Sequence, residues 1–386
     1  MTTQLKGPDR GYDYAQIETK LVGGLKEYAE NAGVKGFVIG VSGGIDSAVV
    51  STLCAKTGLK LIVLTMPIHQ KVDEVNRAAD HIDWLNSHYG NVKSINIDLT
   101  PVYETFKAQI KEGVSSMEEC DEKQQCLACV SYDEKQNKKK DDKEKYPNVN
   151  VRARNRAETL YWVAGALGLL VAGTGNKVED FGIGFFTKFG DGAVDISPIG
   201  EVVKSETRKL GQHMGVIDSI IQAKPTDGLH VDGATDEDQL KATYDEFEWA
   251  MAHVYNDDAT AKFSSIDEAM RDENILARFK RENKSQEILD ILNAGVQSTE
   301  EKRKNTAICY DWLGQGGEKF NRYINESVDE SIKTKINTVL ENDSELSHEE
   351  ETEKLARAKE VLYDKFWKRH TANAHKMIMP PILPIH

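Results

Sequence analysis

Cysteine is scarce in this chain, positive charge is in deficit, proline is missing from one long stretch, and no apolar run could cross a bilayer. Five cysteines (Cys54, Cys120, Cys126, Cys129 and Cys309) among 386 residues make an odd, sparse set that excludes a disulfide framework. A formal net charge of −14 argues against general affinity for nucleic acid, which needs a basic face. The longest apolar stretch, 161–174, is about 14 residues, short of the roughly 20 that a spanning helix requires. The first residues, MTTQLKGPDRGYDY, lack the apolar core of a secretory signal, so a soluble cytoplasmic protein is expected, with no membrane and no nucleic-acid partner. Between Pro225 and Pro380 there is no proline at all.

The rest is ordinary globular composition, 39% hydrophobic and 29% charged, with a strongly ordered pattern. A helical period over 14–31 precedes GFVIGVS (36–42), whose continuous apolar run reads as a buried parallel strand. A glycine turn, a helix over about 47–57, the run LKLIVLTM (59–66), a helix over about 71–87 and the strand VKSINIDL (92–99) follow. Alternation of this kind predicts an α/β fold, a Rossmann-like doubly wound parallel sheet with helices on both faces. Residues 111–147 break it with a polar stretch, densest at DEKQNKKKDDKEK (133–145), which reads as a solvated excursion. It holds the Cys126–Cys129 pair with Cys120 upstream, open to zinc, to redox chemistry or to neither. Regular structure resumes with a helix over 152–168, strands at LLVAGT (169–174) and AVDIS (193–197), and a helix near 202–214. The proline-free stretch reads as amphipathic helices, as in ENILARFKRENKSQEILDILN (273–293) and EEETEKLARAKEVLYDKFWKRH (349–370). The expected organisation is an α/β domain over 1–235, a helical insertion over 236–370, and a tail over 371–386 that returns to the active site.

Chemistry concentrates first at the strand-to-helix turn Gly40-Val41-Ser42-Gly43-Gly44-Ile45-Asp46-Ser47. Unpaired N–H groups and the positive end of a helix make such a turn an anion site. Glycines let the backbone approach phosphate oxygens, and Ser42 and Ser47 add hydroxyl donors. A carboxylate at Asp46 would be repelled by a polyphosphate unless a divalent cation lay between them, which points to Mg²⁺. The GxxxxGK[ST] loop of ordinary P-loop NTPases is absent.

SGGIDS resembles the SGGxDS signature of the ATP pyrophosphatases, which implies ATP as co-substrate, attack on its α-phosphorus and release of pyrophosphate. Four further blocks resemble the NAD synthetases within that superfamily. They are NVNVRARNR (148–156), LLVAGTGNKVEDFGIGFFTKFGDGAVDISPIGEVVKSETRKL (169–210), PTDGLHVDGATDEDQLKATYDEFE (225–248), and His375-Lys376 before Pro380-Pro381. The resemblance implies that Thr174, Lys204 and Thr226 join the 42–47 loop on ATP. It also implies that Arg154, Lys188, Asp195, His375 and Lys376 contact deamido-NAD, and that Glu179 joins Asp46 on Mg²⁺. The implied reaction adenylates deamido-NAD and then amidates it with ammonia, in a homodimer without an appended glutaminase. Two other readings remain at this point: a tRNA-thiolating pyrophosphatase, which would use the cysteines, and a non-catalytic ATP-binding interaction protein. The chain departs from the family pattern in one extra residue between Glu179 and the FFTK run, in Met377 where arginine is usual, and in about 100 additional residues between Tyr244 and His375.

Overall fold

A computed structural model describes residues 5, 7, 9–115, 137–226, 235–255, 262–263, 268, 274–314, 318–341 and 348–373. The chain divides into two compact units: Glu18–Gln239 with Asn373–His386, and Met1–Ile17 with Leu240–Ala372.

The first unit is an α/β layer structure. Helix α1 (Tyr14–Asn31) leads into β1 (Gly36–Gly40), α2 (Ile45–Lys56), β2 (Lys60–Thr65), α3 (Val72–His88), β3 (Val92–Asn96) and α4 (Thr100–Ser115). After α5 (Asn137–Leu167) comes β4 (Leu170–Val171), followed by α6 (Lys204–His213) and the short helices α7 (Asp218–Ile221) and α8 (Asp236–Leu240). The sheet is parallel in the order β3-β2-β1-β4, so the winding reverses between β1 and β4. Right-handed crossovers then require helices on both faces, as the alternating sequence predicted. Phe37, Val38, Ile39, Leu61, Val63, Leu64 and Val171 are buried, and α2 is buried on nearly every side. That double burial is why the strands read as unbroken apolar runs and not as alternating ones.

Two expectations need correction. The polar stretch does not stay irregular up to residue 147: a single 31-residue helix, α5, begins at Asn137 and carries Pro147 inside it. The AVDIS segment does not form a strand either, and contributes only an isolated bridge, Ala172 to Ile196. The reason is local. The Asp195 carboxylate accepts the Val171 N–H at 2.8 Å while the Asp195 N–H donates to the Val171 carbonyl at 3.0 Å. A side chain therefore occupies the place on this edge that a strand carbonyl would take.

The second unit is helical. Thr243 caps α9 (Tyr244–Val254), accepting from the Glu246 N–H, while Glu246 accepts from the Thr243 N–H. Helices α10 (Asn274–Asn293), α11 (Thr299–Gly314), α12 (Glu318–Ser327) and α13 (Glu330–Glu341) close around Ile288, Leu292, Phe320, Ile324, Ile336 and Val339. Buried Asn305 on α11 donates to the Leu292 carbonyl at the end of α10 and accepts from the Tyr323 hydroxyl of α12. Helix α14 (His348–Glu360) supplies Arg357, which forks onto both carboxylate oxygens of Glu246 at 2.6 and 2.8 Å. Among the described residues no helix is long and apolar enough to cross a membrane. Cys120, Cys126 and Cys129 lie outside the described residues, as do His375, Lys376 and Met377.

Candidate active site

In an open parallel sheet, ligands bind beyond the carboxyl ends of the strands where the winding reverses. A cavity of about 250 Å³ occupies that position. Gly40 and Val41 after β1, Thr65 and Met66 after β2, and Ala172 to Thr174 after β4 form its floor. Helix α5 turns Ala153, Arg156, Ala157 and Leu160 toward it.

The 42–47 turn is closed by its own hydroxyls. Ser42 and Ser47 share a hydrogen bond at 3.1 Å, Ser47 Oγ accepts the Ser42 N–H, and Ser42 Oγ accepts the Gly44 N–H. Gly43 has φ +83°, and a Cβ there would collide with the Glu74 carbonyl, so only glycine fits on both counts. Helix α2 begins at once, with Gly44 as an N-cap that supplies no side chain to its first N–H groups.

Three charged side chains meet beside this turn. The Lys204 ammonium, on the first residue of α6, lies 2.5 Å from Asp46 Oδ2 and 2.9 Å from Glu179 Oε1. A backbone bond from Lys177 N–H to the Val202 carbonyl brings the two segments together. Burial pulls the Lys204 ammonium toward neutrality, but the carboxylates of Asp46, Glu179 and Asp236 more than reverse this, and it stays charged. Burial pushes Asp46 up; Lys204 opposes the shift and Glu179 adds to it. Asp180, buried under Gly175, is raised well above the usual carboxylate range by burial and by Glu179, Asp191 and Asp46. A Cβ on Gly175 would collide with the Asp180 carboxyl group.

Two carboxylates facing one ammonium leave excess negative charge in a desolvated place. That donor set fits Mg²⁺, a hard cation that takes one or two carboxylates and completes its shell with phosphate oxygens and water. Among the described residues no group of three or more acidic, histidine or cysteine side chains could hold a metal ion.

Most sequence-predicted ATP and metal residues converge here. Gly40, Val41, Ser42, Gly44, Asp46, Ser47, Thr174, Glu179, Lys204 and Thr226 line the cavity, while Gly43 and Ile45 line a smaller neighbouring one. Glu179 sits in a π-helical turn, Val178–Ile183, ended by Gly184 at φ +62°. Of the dinucleotide candidates among the described residues, Arg154, Lys188 and Asp195 do not line this cavity. Arg154 is exposed and donates to the Lys188 carbonyl at 3.3 Å, and the Lys188 ammonium lies 5.7 Å from the Phe189 ring. Asp195 is committed to Val171 and to the Tyr161 hydroxyl.

Sequence reasoning missed Asn176, which is fully buried. Its Oδ1 accepts the N–H groups of Val178 and Glu179, and its Nδ2 donates to Asp46 Oδ1 at 3.3 Å. It thereby sets the distance between the two candidate metal ligands. Its place inside GTGNK was the available signal. Arg156 was also missed: it donates to the Met66 carbonyl and to Gln70 along one wall of the cavity.

A glycine turn on a helix N-terminus, beside a buried lysine and two carboxylates at the switch point of a parallel sheet, defines a nucleotide-binding α/β enzyme. The NAD synthase family model matches residues 17–305, and the chain belongs to that family. The NH(3)-dependent NAD(+) synthetase of Methanosarcina acetivorans is 30% identical over 302 residues, 77% of this chain and 98% of that protein. The protein of the same name from Mesoplasma florum is 34% identical over 239 residues, 62% of this chain and 84% of the relative. Among solved structures, NMN synthetase from Francisella tularensis superposes with a TM-score of 0.51 at 32% identity, covering 61% of this chain and 85% of that one.

Proposed function

We propose that this chain makes NAD by ATP-dependent amidation of deamido-NAD with ammonia, releasing AMP and pyrophosphate. The observation that carries the reading is the buried Lys204 ammonium held between Asp46 and Glu179 beside the 42–47 turn. The nicotinate carboxylate attacks the α-phosphorus of ATP, and the bond from that phosphorus to the bridging oxygen breaks. Pyrophosphate leaves with the electron pair. N–H groups at the start of α2 and the Lys204 ammonium offset the charge that builds on the leaving group. Ammonia then attacks the acyl carbon, loses a proton, and displaces AMP.

Asp46 and Glu179 would hold Mg²⁺, which on binding neutralises phosphate oxygens as a Lewis acid. Arg154, Lys188, Asp195, His375 and Lys376 are the proposed contacts to deamido-NAD. A homodimer is part of the proposal: α4 turns Val102, Phe106 and Ile110 to solvent at helical spacing, and Trp162 on α5 is 75% exposed. The proposed compartment is the cytoplasm.

The test is pyrophosphate release against a panel of acids, with ammonium or glutamine as nitrogen donor. Turnover is expected with deamido-NAD and ammonium together. No response to deamido-NAD sinks the reading. The resemblance to an NMN synthetase makes nicotinic acid mononucleotide the second acid to try, and preference for it would move the assignment to the shorter substrate.

A further inference from the structure

A second cavity, about 30 Å³, shares Ser42, Gly44, Asp46, Lys204 and Thr226 with the first. That is room for about two water-sized groups, enough for the end of a phosphate chain and too little for a base or a sugar. Its remaining walls differ in character from the first. The large cavity has Leu64, Met66, Ala157 and Leu160 on its sides, whereas the small one adds Arg77 from α3 and Lys224 to the shared Lys204.

Charge accounting favours an anion. The carboxylates at this cavity are Asp46 and Glu74; Asp46 is held by Lys204 and Asn176, and Glu74 by Gln70. Among the described residues neither Arg77 nor Lys224 has a carboxylate partner. Arg77 uses its Nε–H on the Gly43 carbonyl at 3.2 Å, which fixes the guanidinium against the turn and leaves its two terminal nitrogens for other acceptors. Lys224 sits on a segment pinned at both sides. The Arg208 guanidinium donates to the Ala223 carbonyl at 3.4 Å, and the Asp236 N–H donates to the Pro225 carbonyl at 3.2 Å.

We infer that Arg77 and Lys224 hold the terminal phosphoryl group of ATP, and afterwards the free end of the departing pyrophosphate, in this smaller cavity. The inference rests on the proposed cleavage of ATP between its α- and β-phosphates. The base and sugar then lie in the larger cavity, and the bond to be broken lies at the shared boundary formed by the 42–47 turn and Lys204. Both residues are binding residues for the terminal phosphates, set apart from the acid that is adenylated.

Calorimetric titration of the full chain with Mg-ATP, Mg-ADP, Mg-pyrophosphate and AMP tests this without deamido-NAD or ammonia. A failed amidation assay and a failed phosphate subsite are therefore distinguishable. Arg77→Ala and Lys224→Ala should each weaken ATP and pyrophosphate by about tenfold or more, as loss of a charge-assisted hydrogen bond does. AMP affinity should hold, and the preference for ATP over ADP should shrink. An unchanged ATP-to-ADP ratio in both variants overturns the inference. If Arg77→Ala weakens AMP equally, the turn itself has collapsed. Lys224→Ala, whose side chain holds no turn carbonyl, then decides: a reduced ATP-to-ADP ratio supports the subsite, and an unchanged one removes it.

Discussion

The two units use buried polar groups in opposite ways. In the helical unit two of them are paired within the protein: Glu246 caps α9 and receives both arms of Arg357, and Asn305 ties α11 to α10 and α12. In the α/β unit Asp46, Glu179, Asp180 and Lys204 crowd together with more negative than positive charge, an arrangement that is costly for an isolated fold. The Glu246 and Asn305 contacts close within the protein; those around Lys204 are arranged for something that arrives. Local instability at a binding site is tolerated where a ligand repays it.

That contrast can be broken by substitution. Lys204→Met should cut pyrophosphate release by about a thousandfold or more, roughly 4 kcal/mol of transition-state stabilisation, while near-native secondary structure is retained. A rate within tenfold of the parent enzyme would remove Lys204 from the chemistry. Phe320→Ala, in the helical core, should lower unfolding free energy by about 3 kcal/mol through the cavity it leaves. Turnover per folded molecule should be unchanged below the new Tm, and a fall in kcat there would show that the units are not separable in function.

His81 sharpens the comparison from within the α/β unit. It is fully buried on α3, shares a hydrogen bond of 2.9 Å with Ser51 on α2, and burial pushes its pKa from 6.5 down to about 4. Between those values the unfolded chain binds a proton that the folded chain refuses. Stability therefore falls as pH drops from about 6.5 to about 4, by up to about 3 kcal/mol from this group. Denaturant titrations of His81→Gln should show a correspondingly flatter pH profile; identical slopes would assign the acid sensitivity elsewhere. Glu246→Gln should have the smallest effect, about 1 kcal/mol, because Arg357 is partly exposed and water screens the pair. A loss several times larger would mean that the pair is far less solvated than its exposure indicates.

Much of the α/β unit was legible because its signals are local. Strands buried on both faces announce themselves as apolar runs, as β1 and β2 do, and the edge strand β3, exposed after Val92, also falls inside its expected segment. The 42–47 turn, Lys204 and Glu179 were legible because each lies in a contiguous block. Asn176 was not, since its importance lies in reaching across 130 positions to Asp46. Arg77 and Lys224 carry no sequence signal, because only the fold brings α3 and the segment before Thr226 to the same turn. The helical unit shows the same limit. Its amphipathic period foretold α10 and α14, but not that Glu246 and Arg357, 111 positions apart, would join.

Pro147 gives α5 a seam. A proline has no amide hydrogen, so the carbonyl of residue 143 loses its helical donor, and the ring crowds that turn. The part of α5 after the seam carries Ala153, Arg156, Ala157 and Leu160, whose angular phase is set by contact with the sheet and the cavity. One residue inserted between Ala153 and Leu160 would turn the cavity-facing side chains on its two sides about 100° out of phase with each other, whereas a change of length before Pro147 leaves their mutual phase intact.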